Sequence, residues 1–356
     1  GQARRWSMAM PSLTGRTLKK EWRVGKLLGA GACAEVYEVE RVAVTARSGS
    51  RAAAAAAAST TSLVIKVAPV PPPAAKGKKA NGDAKRAADT LFAEHLLYAN
   101  VLNRSPRRFG REVAYGETDG FRYLVLERLG ASLGDEVARL AAAGKRLDPK
   151  ALAAVGLDVL ASLEALHAAR YVYVDVKPEN VMLGRHEAGA VVGADEARLV
   201  DFGLASRYVS ALTGGHRAAT PGGSLGGTPR FVGLAAHAEG APPCRRDDVE
   251  ALGHMLLCVA AGDALPWDGA ASDDAVLRAK RAAGAPAAVV AALDLAPFGD
   301  AAPLAAFLEE CRALGHADAP DYAKLRAHLE RLATGAKARK PAPKARAPRR
   351  AAPMDV

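Results

Sequence analysis

Apolar residues first recur at every second position along this chain, and further on at every third and fourth. The segments "WRVGKLLG" at 22–29, "AEVYEVERVAV" at 34–44 and "SLVIKVAPV" at 62–70 alternate or run β-branched, a pattern that predicts strands. Leu91, Phe92, Leu96, Leu97 and Val101 fall at helical spacing and predict a helix over about 84–103, with a further strand in "FRYLVLER" at 121–128. After "LGASLGDEV" the texture becomes helical, with helices predicted over 148–169, 246–261, 273–283, 303–314 and 321–333. A small β-rich lobe, 21–129, therefore precedes a larger helical lobe, 130–334, with a hinge near Leu129 and Gly130. The expected class is α+β, in one domain over 21–334 between an N-terminal extension (1–20) and a tail (335–356).

Composition changes this picture mainly at the ends. Residues 1–20 carry five Lys or Arg and no acid, and residues 336–356 carry seven against Asp355, which accounts for the whole formal charge of +11. The body between them is net neutral. Three segments look unable to pack, at 47–62, 70–86 and from 335 onward; the first two read as loop insertions and the last as a disordered tail. Cys33, Cys244, Cys258 and Cys311 are widely spaced with no CxxC pair, so neither a zinc site nor a disulfide framework is expected. No uncharged apolar run approaches the ~18 residues of a membrane span, and no leader-like apolar core follows the first basic residues. The expectation is a soluble, monomeric, intracellular protein of the cytoplasm or nucleus, without a membrane partner.

Three motifs carry chemistry. In "LLGAGACAEV", Gly29, Ala30 and Gly31 join two strands, where glycines without Cβ let a hairpin backbone approach phosphates. A dinucleotide-binding loop would lead into a helix, whereas "VYEVERVAV" continues as a strand, so a nucleotide-covering flap is favoured. Lys66 closes the apolar run "LVIK" after Val64, and Glu94 lies in the following helix; a lysine there is costly to bury unless paired, and Glu94 is placed to hold it against a polyphosphate. In "YVYVDVKPENVMLG" at 171–184, Asp175, Lys177 and Asn180 supply a carboxylate to orient an attacking hydroxyl, a cation for the transferring phosphate and an oxygen for Mg²⁺. "ARLVDFG" at 197–203 adds Asp201 as the main metal ligand at the end of a short strand.

In order and context these pieces resemble the protein kinase fold, a bilobal α+β architecture, and within it the casein kinase I superfamily, with similarity to the vaccinia-related branch. The resemblance is carried by "LFAEHLLY", "LVLERLGASL", "VDVKPENVMLG", "LVDFGLASRY", "GTPRF" and "RRDDVEALGHML…LPW", over about residues 22–333. It implies a Ser/Thr protein kinase that uses ATP and Mg²⁺ and acts on protein substrates. It further implies that Thr228 bridges Asp175 and Lys177 and that Asp248 anchors the catalytic loop. Glu127 and Leu129 would offer backbone groups to adenine, with Val36 and Met182 on either side of the ring. It also implies an anion site made by Arg230, Gly269 and Arg278, favouring acidic or already phosphorylated substrates. Three positions depart from the family pattern: Tyr173-Val174 stands in place of His-Arg, Ala34 replaces a third glycine, and Cys33 occupies the flap tip, where exposure is expected. The alternatives are a pseudokinase that keeps the fold as a binding module, and a kinase tethered to nucleic acid or another acidic partner through its basic termini.

Overall fold

Alternation along one strand sorts its side chains between two environments. In β4 (Leu63–Pro69), Ile65 and Val67 join Trp22, Tyr37, Val39, Tyr123 and Val125 in an apolar cluster on the outer face of a sheet, while Val64 and Lys66 turn inward. The sheet is antiparallel and six-stranded, in the order β1 (Thr17–Leu18), β2 (Trp22–Ala30), β3 (Glu35–Arg41), β4, β6 (Phe121–Glu127), β5 (Glu112–Thr118). These features come from a computed structural model, which describes residues 12–31, 33–42, 62–71, 82–118, 120–184, 197–223, 225–295 and 298–334. Most of both expected insertions, the tail from 335 and residues 1–11 lie outside the described residues.

Helix α1 (Gly82–Asn100) packs across β4, β5 and β6. Its buried stripe runs Ala87, Leu91, Glu94 and Tyr98, so one carboxylate sits in the middle of an apolar face. Phe92 and Leu96, which periodicity assigns to the buried face, are instead 41% and 43% exposed, because the sheet covers only the narrower stripe. A short helix α2 (Pro106–Phe109) connects α1 to β5, and the helical lobe contains α3 (Leu133–Ala142), α4 (Pro149–Ala168), α5 (Leu234–Glu239), α6 (Arg245–Ala260), α7 (Asp273–Ala283), α8 (Pro286–Ala291), α9 (Ala302–Arg312) and α10 (Tyr322–Thr334). Helix α4 is long and apolar enough to cross a bilayer, but here it is a core helix packed against α6 and α10. Asp148 caps its first turn by accepting the Ala151 N–H at 2.8 Å, with Pro149 at the first helical position. Two-residue strands β7 (Tyr171–Val172), β8 (Val181–Met182), β9 (Arg198–Leu199) and β10 (Ser206–Arg207) pair as β7–β10 and β8–β9, holding the 171–184 motif against the segment with Asp201.

The expected boundary at residue 20 falls too late. Leu13 and Leu18 are buried in the outer cluster and β1 pairs with β2, so the last part of the extension belongs to the sheet.

Candidate active site

The inward face of β4 sets the first group. Lys66 Nζ lies 2.7 Å from Glu94 Oε2 and 2.6 Å from Asp201 Oδ1, which ties the sheet, α1 and the segment after β9 together. Glu94 is buried, and its other oxygen accepts the Phe202 N–H at 3.2 Å. Burial works against the charge on Lys66, but Asp201 and Glu94 outweigh it and hold the ammonium above its ordinary value. Lys66 in turn pulls the Asp201 carboxyl below the usual carboxylate range. Glu94 moves the other way, because burial and the nearby Asp201 charge outweigh Lys66. We read Glu94 as ionised, since one of its oxygens receives a charged donor and the other a backbone N–H.

The second group forms around Asp175, itself buried. Its Oδ1 accepts the Thr228 hydroxyl at 2.7 Å, and its Oδ2 accepts Lys177 Nζ at 2.6 Å and Asn180 Nδ2 at 3.1 Å. Lys177 also donates to Thr228 Oγ1 at 3.3 Å. Asn180 directs its amide N–H groups at Asp175, one to the backbone carbonyl at 3.0 Å, so its Oδ1 is the atom left for a cation. With the Asp201 carboxylate this makes a pair of hard oxygen donors, the set that Mg²⁺ takes together with phosphate oxygens. The residues fit that ion.

A buried carboxylate holds the loop in place. Asp248, at the start of α6, accepts the N–H groups of Tyr173 and Val174, each at 2.7 Å, and meets His167 Nε2 at 2.8 Å. Tyr322 backs His167 from the far side, its hydroxyl 2.6 Å from Nδ1. Val174 has φ +79°, a conformation that a β-branched residue keeps only where its surroundings enforce it. Tyr173 donates its hydroxyl to the Val200 carbonyl and packs edge-on against Phe202, with ring centroids 5.4 Å apart. Phe202 also meets Tyr98 and Phe109 edge-on, which links α1 to the segment with Tyr173 and Asp175 through aromatic contacts.

Between the lobes lies a cleft of about 590 Å³, within the range of small-molecule sites. Gly29, Val36, Val64, Lys66, Glu127, Leu129, Met182 and Asp201 all line it, whereas Ala30 and Gly31 are not among its lining residues. Gly130 closes its back edge, where a Cβ would stand 2.5 Å from the Leu183 carbonyl. Ser132 and Asp135, joined in a capping box at the start of α3, also line the cleft and were not read from sequence as site residues. Their Ser-x-x-Asp spacing was the available signal.

The protein kinase domain family matches residues 98–282, about half of the chain. This chain belongs to the protein kinase family. The matched span contains Asp175, Lys177, Asn180, Asp201 and Thr228; Lys66, Glu94 and the glycine-containing flap precede it and are placed by the geometry above. Among curated proteins, this chain is 32% identical to Casein kinase I homolog 2 of Saccharomyces cerevisiae over 185 residues, 52% of this chain and 32% of that protein. It is 32% identical to Casein kinase I homolog 3 of Schizosaccharomyces pombe over 157 residues, 44% of this chain and 34% of that protein. Casein kinase I homolog 2 of the same yeast is 31% identical over 196 residues, 55% and 42% of the two chains. The chain thus spans about a third to two fifths of the length of these relatives.

Two expectations need correction. Cys33 is half-buried rather than exposed: it packs against the main core, with Asp201, Lys66 and Thr90 around its thiol, and burial followed by Asp201 pushes the thiol up. Arg230 does not project as a free fork. Its Nε and Nη2 bind Asp268 at 2.8 and 2.7 Å, and Nη1 binds Asp263 at 2.7 Å. Arg278 is exposed on α7, and Gly269 lies in the turn before it at φ +82°. Sequence reading passed over Lys280, two residues beyond Arg278 and fully buried.

Proposed function

We propose that this kinase domain transfers the γ-phosphate of ATP to serine and threonine hydroxyls of proteins, with Mg²⁺ as its metal. One observation carries the reading: Asp201, with Lys66 and Glu94, lines the cleft, and Lys177, bound to Asp175 at 2.6 Å, is close enough for its charge to help hold the Asp201 carboxyl down, so the two groups from separate segments meet at one edge of it. Asp175 orients the acceptor hydroxyl and takes its proton at a carboxylate oxygen, while Lys177 and Lys66 offset charge on the phosphates. Asn180 and Asp201 would hold Mg²⁺, which would supply charge neutralisation for the transferring group. A pseudokinase is disfavoured because each of these side chains is present and engaged with its partners. Lys66→Met and Asp201→Asn should each lower transfer by at least ~100-fold in protein that stays folded. Wild-type-like turnover in either variant would remove the role given to that residue.

Kinship with the vaccinia-related branch is supported by Val174, which stands where most kinases carry an arginine. Arg230 speaks for the casein kinase I side. A preference for acidic or primed substrates stays in the proposal on narrower ground: Arg278 is exposed, while Arg230 must exchange Asp263 or Asp268 for an incoming anion. Comparing kcat/KM on matched acidic and neutral peptides for wild type and Arg278→Ala tests this, and equal ratios in both would end it. A nucleic-acid or acidic partner at the basic N-terminal end has its own support, because Arg16, Lys19, Lys20 and Arg23 are exposed along β1 and β2. Binding of that kind weakens steeply with salt. Retention on DNA that does not change between low and moderate salt would refute it.

A further inference from the structure

Four consecutive backbone carbonyls directly after Thr228 each accept a hydrogen bond from a buried side chain. Lys280 Nζ donates to the carbonyls of Pro229 and Val232, both at 2.6 Å. Between them, Trp267 Nε1 donates to the Arg230 carbonyl at 2.7 Å, and His254 Nδ1 lies 2.9 Å from the Phe231 carbonyl. A carbonyl only accepts, so this contact puts the proton of a neutral His254 on Nδ1. The three donors come from α7, from the turn before it and from α6, and all are at most 1% exposed. They also pack on one another: Lys280 Nζ lies 5.2 Å from the Trp267 ring centroid, and the His254 and Trp267 rings meet edge-on at 4.9 Å.

Behind this layer, Arg312 joins His254 Nε2 at 3.5 Å and Glu250 at 2.8 Å. Glu250 in turn abuts Gly233, where a Cβ would stand 2.7 Å from its carboxylate. Burial pulls the Lys280 ammonium down to about 7, with Glu250 opposing the shift and Arg312 adding to it. Charged or neutral, the nitrogen keeps at least two N–H donors, one for each carbonyl. Inside the loop, the N–H groups of Phe231 and Val232 return to the Thr228 carbonyl at 2.9 and 3.1 Å, so fixing 229–232 fixes Thr228.

We propose that Lys280, Trp267 and His254 form a carbonyl cradle that positions the Thr228 hydroxyl on Asp175, with Lys280, which holds both ends of the loop, as its principal positioning residue. This rests on the proposed phosphotransfer only for its effect on rate. This buried lysine has two carbonyl partners and, among the described residues, no carboxylate in ion-pair contact, and none of the three side chains lines the cleft, so the cradle stands apart from nucleotide binding. The cradle acts on the loop and, through Thr228, on Asp175.

The test is a double-mutant cycle on the full chain with Lys280→Met and Thr228→Val. Lys280→Met should lower kcat about 10-fold with KM for ATP unchanged within about twofold, as expected when a reacting group is displaced by a fraction of an ångström. In the Thr228→Val background the same change should cost less than about twofold, because its effect runs through the hydroxyl already removed. An equal loss in both backgrounds, or no loss in folded Lys280→Met, overturns the proposal. If Lys280→Met does not fold, Trp267→Phe keeps the ring and deletes one donor, and the same cycle applies with a loss of about threefold. Amide hydrogen exchange reads the cradle without activity: both substitutions should speed exchange at Phe231 and Val232 at least about 10-fold and leave α4 unchanged. Unchanged exchange at Phe231 and Val232 refutes the cradle. A wild type that protects these amides yet transfers no phosphate refutes the proposed function instead.

Discussion

Replacing Asp248 by asparagine removes one acceptor from a carboxylate that receives three hydrogen bonds at 2.7–2.8 Å while only 1% exposed. Asparagine keeps one oxygen. If that oxygen takes the place serving Tyr173 and His167, the new NH₂ faces the Val174 N–H, donor against donor. One charge-assisted bond is lost and a buried N–H is orphaned, at about 1.5–3 kcal/mol, and the two remaining bonds weaken by about 1 kcal/mol each once the acceptor is uncharged. The expected loss of stability is about 3–5 kcal/mol, a fall in Tm on the order of 10 °C for a domain of this size. Val174 would then relax from φ +79°, and Asp175, the next residue, would shift with it. A displacement near 1 Å lowers kcat about 100-fold. The KM for ATP should change by less than about threefold, because Gly29, Val36 and Lys66 belong to the other lobe. Differential scanning fluorimetry and steady-state transfer assays on the same preparation measure both. A variant within about 1 kcal/mol of wild type and with unchanged kcat would refute the anchoring role of Asp248.

Two further outcomes follow from the segment around Thr228. Burial lowers His254 to about 4, with Glu250 opposing and Lys280 and Arg312 assisting, so the folded protein holds it neutral while the unfolded chain protonates it below about 6.5. Its contribution is therefore complete above pH 6.5 and is lost as pH falls through 4, roughly 3 kcal/mol in total. Tm measured against pH should fall more steeply over this window for wild type than for His254→Asn, and parallel curves would contradict the assignment. Gly227 sits at φ +84°, and a Cβ there would lie 2.5 Å from the Val174 carbonyl. Gly227→Ala should displace Thr228 and lower kcat by roughly 10-fold with ATP binding intact, so a fully active folded variant would argue against the close approach of these two segments.

The residues whose chemistry conflicts with their surroundings were the ones legible in sequence. Lys66 closes an apolar strand and Glu94 interrupts an apolar helix face, and each conflict is resolved by the other's charge. Asp175, Lys177, Asn180 and Asp201 were legible because two motifs with complementary roles stand in order about twenty residues apart. Features set by distant packing were not. Arg230 looks free until the turn containing Asp263 and Asp268 folds back onto it. Lys280 is one of several charges in "DDAVLRAKRAA", and only the rotation of α7 separates the buried lysine from the exposed Arg278. Strand β5, "EVAYGET", carries Glu112 as the partner of His95 and lacks the apolar alternation that marks β4 and β6. The orientation of Cys33 depends on how the flap closes over Asp201, which local sequence does not encode.

The central claim is that Asp175 serves phosphate transfer in a site that also binds nucleotide. The most direct measurement incubates the full chain with labelled ATP, Mg²⁺ and casein, maps the phosphorylated residues by mass spectrometry, and measures ATP affinity in parallel for wild type and Asp175→Asn. The account predicts phosphoserine and phosphothreonine from wild type, at least ~100-fold less from Asp175→Asn, and ATP affinities within about threefold of each other. Wild-type protein that binds Mg-ATP and leaves casein unmodified would contradict it and make the chain a nucleotide-binding module.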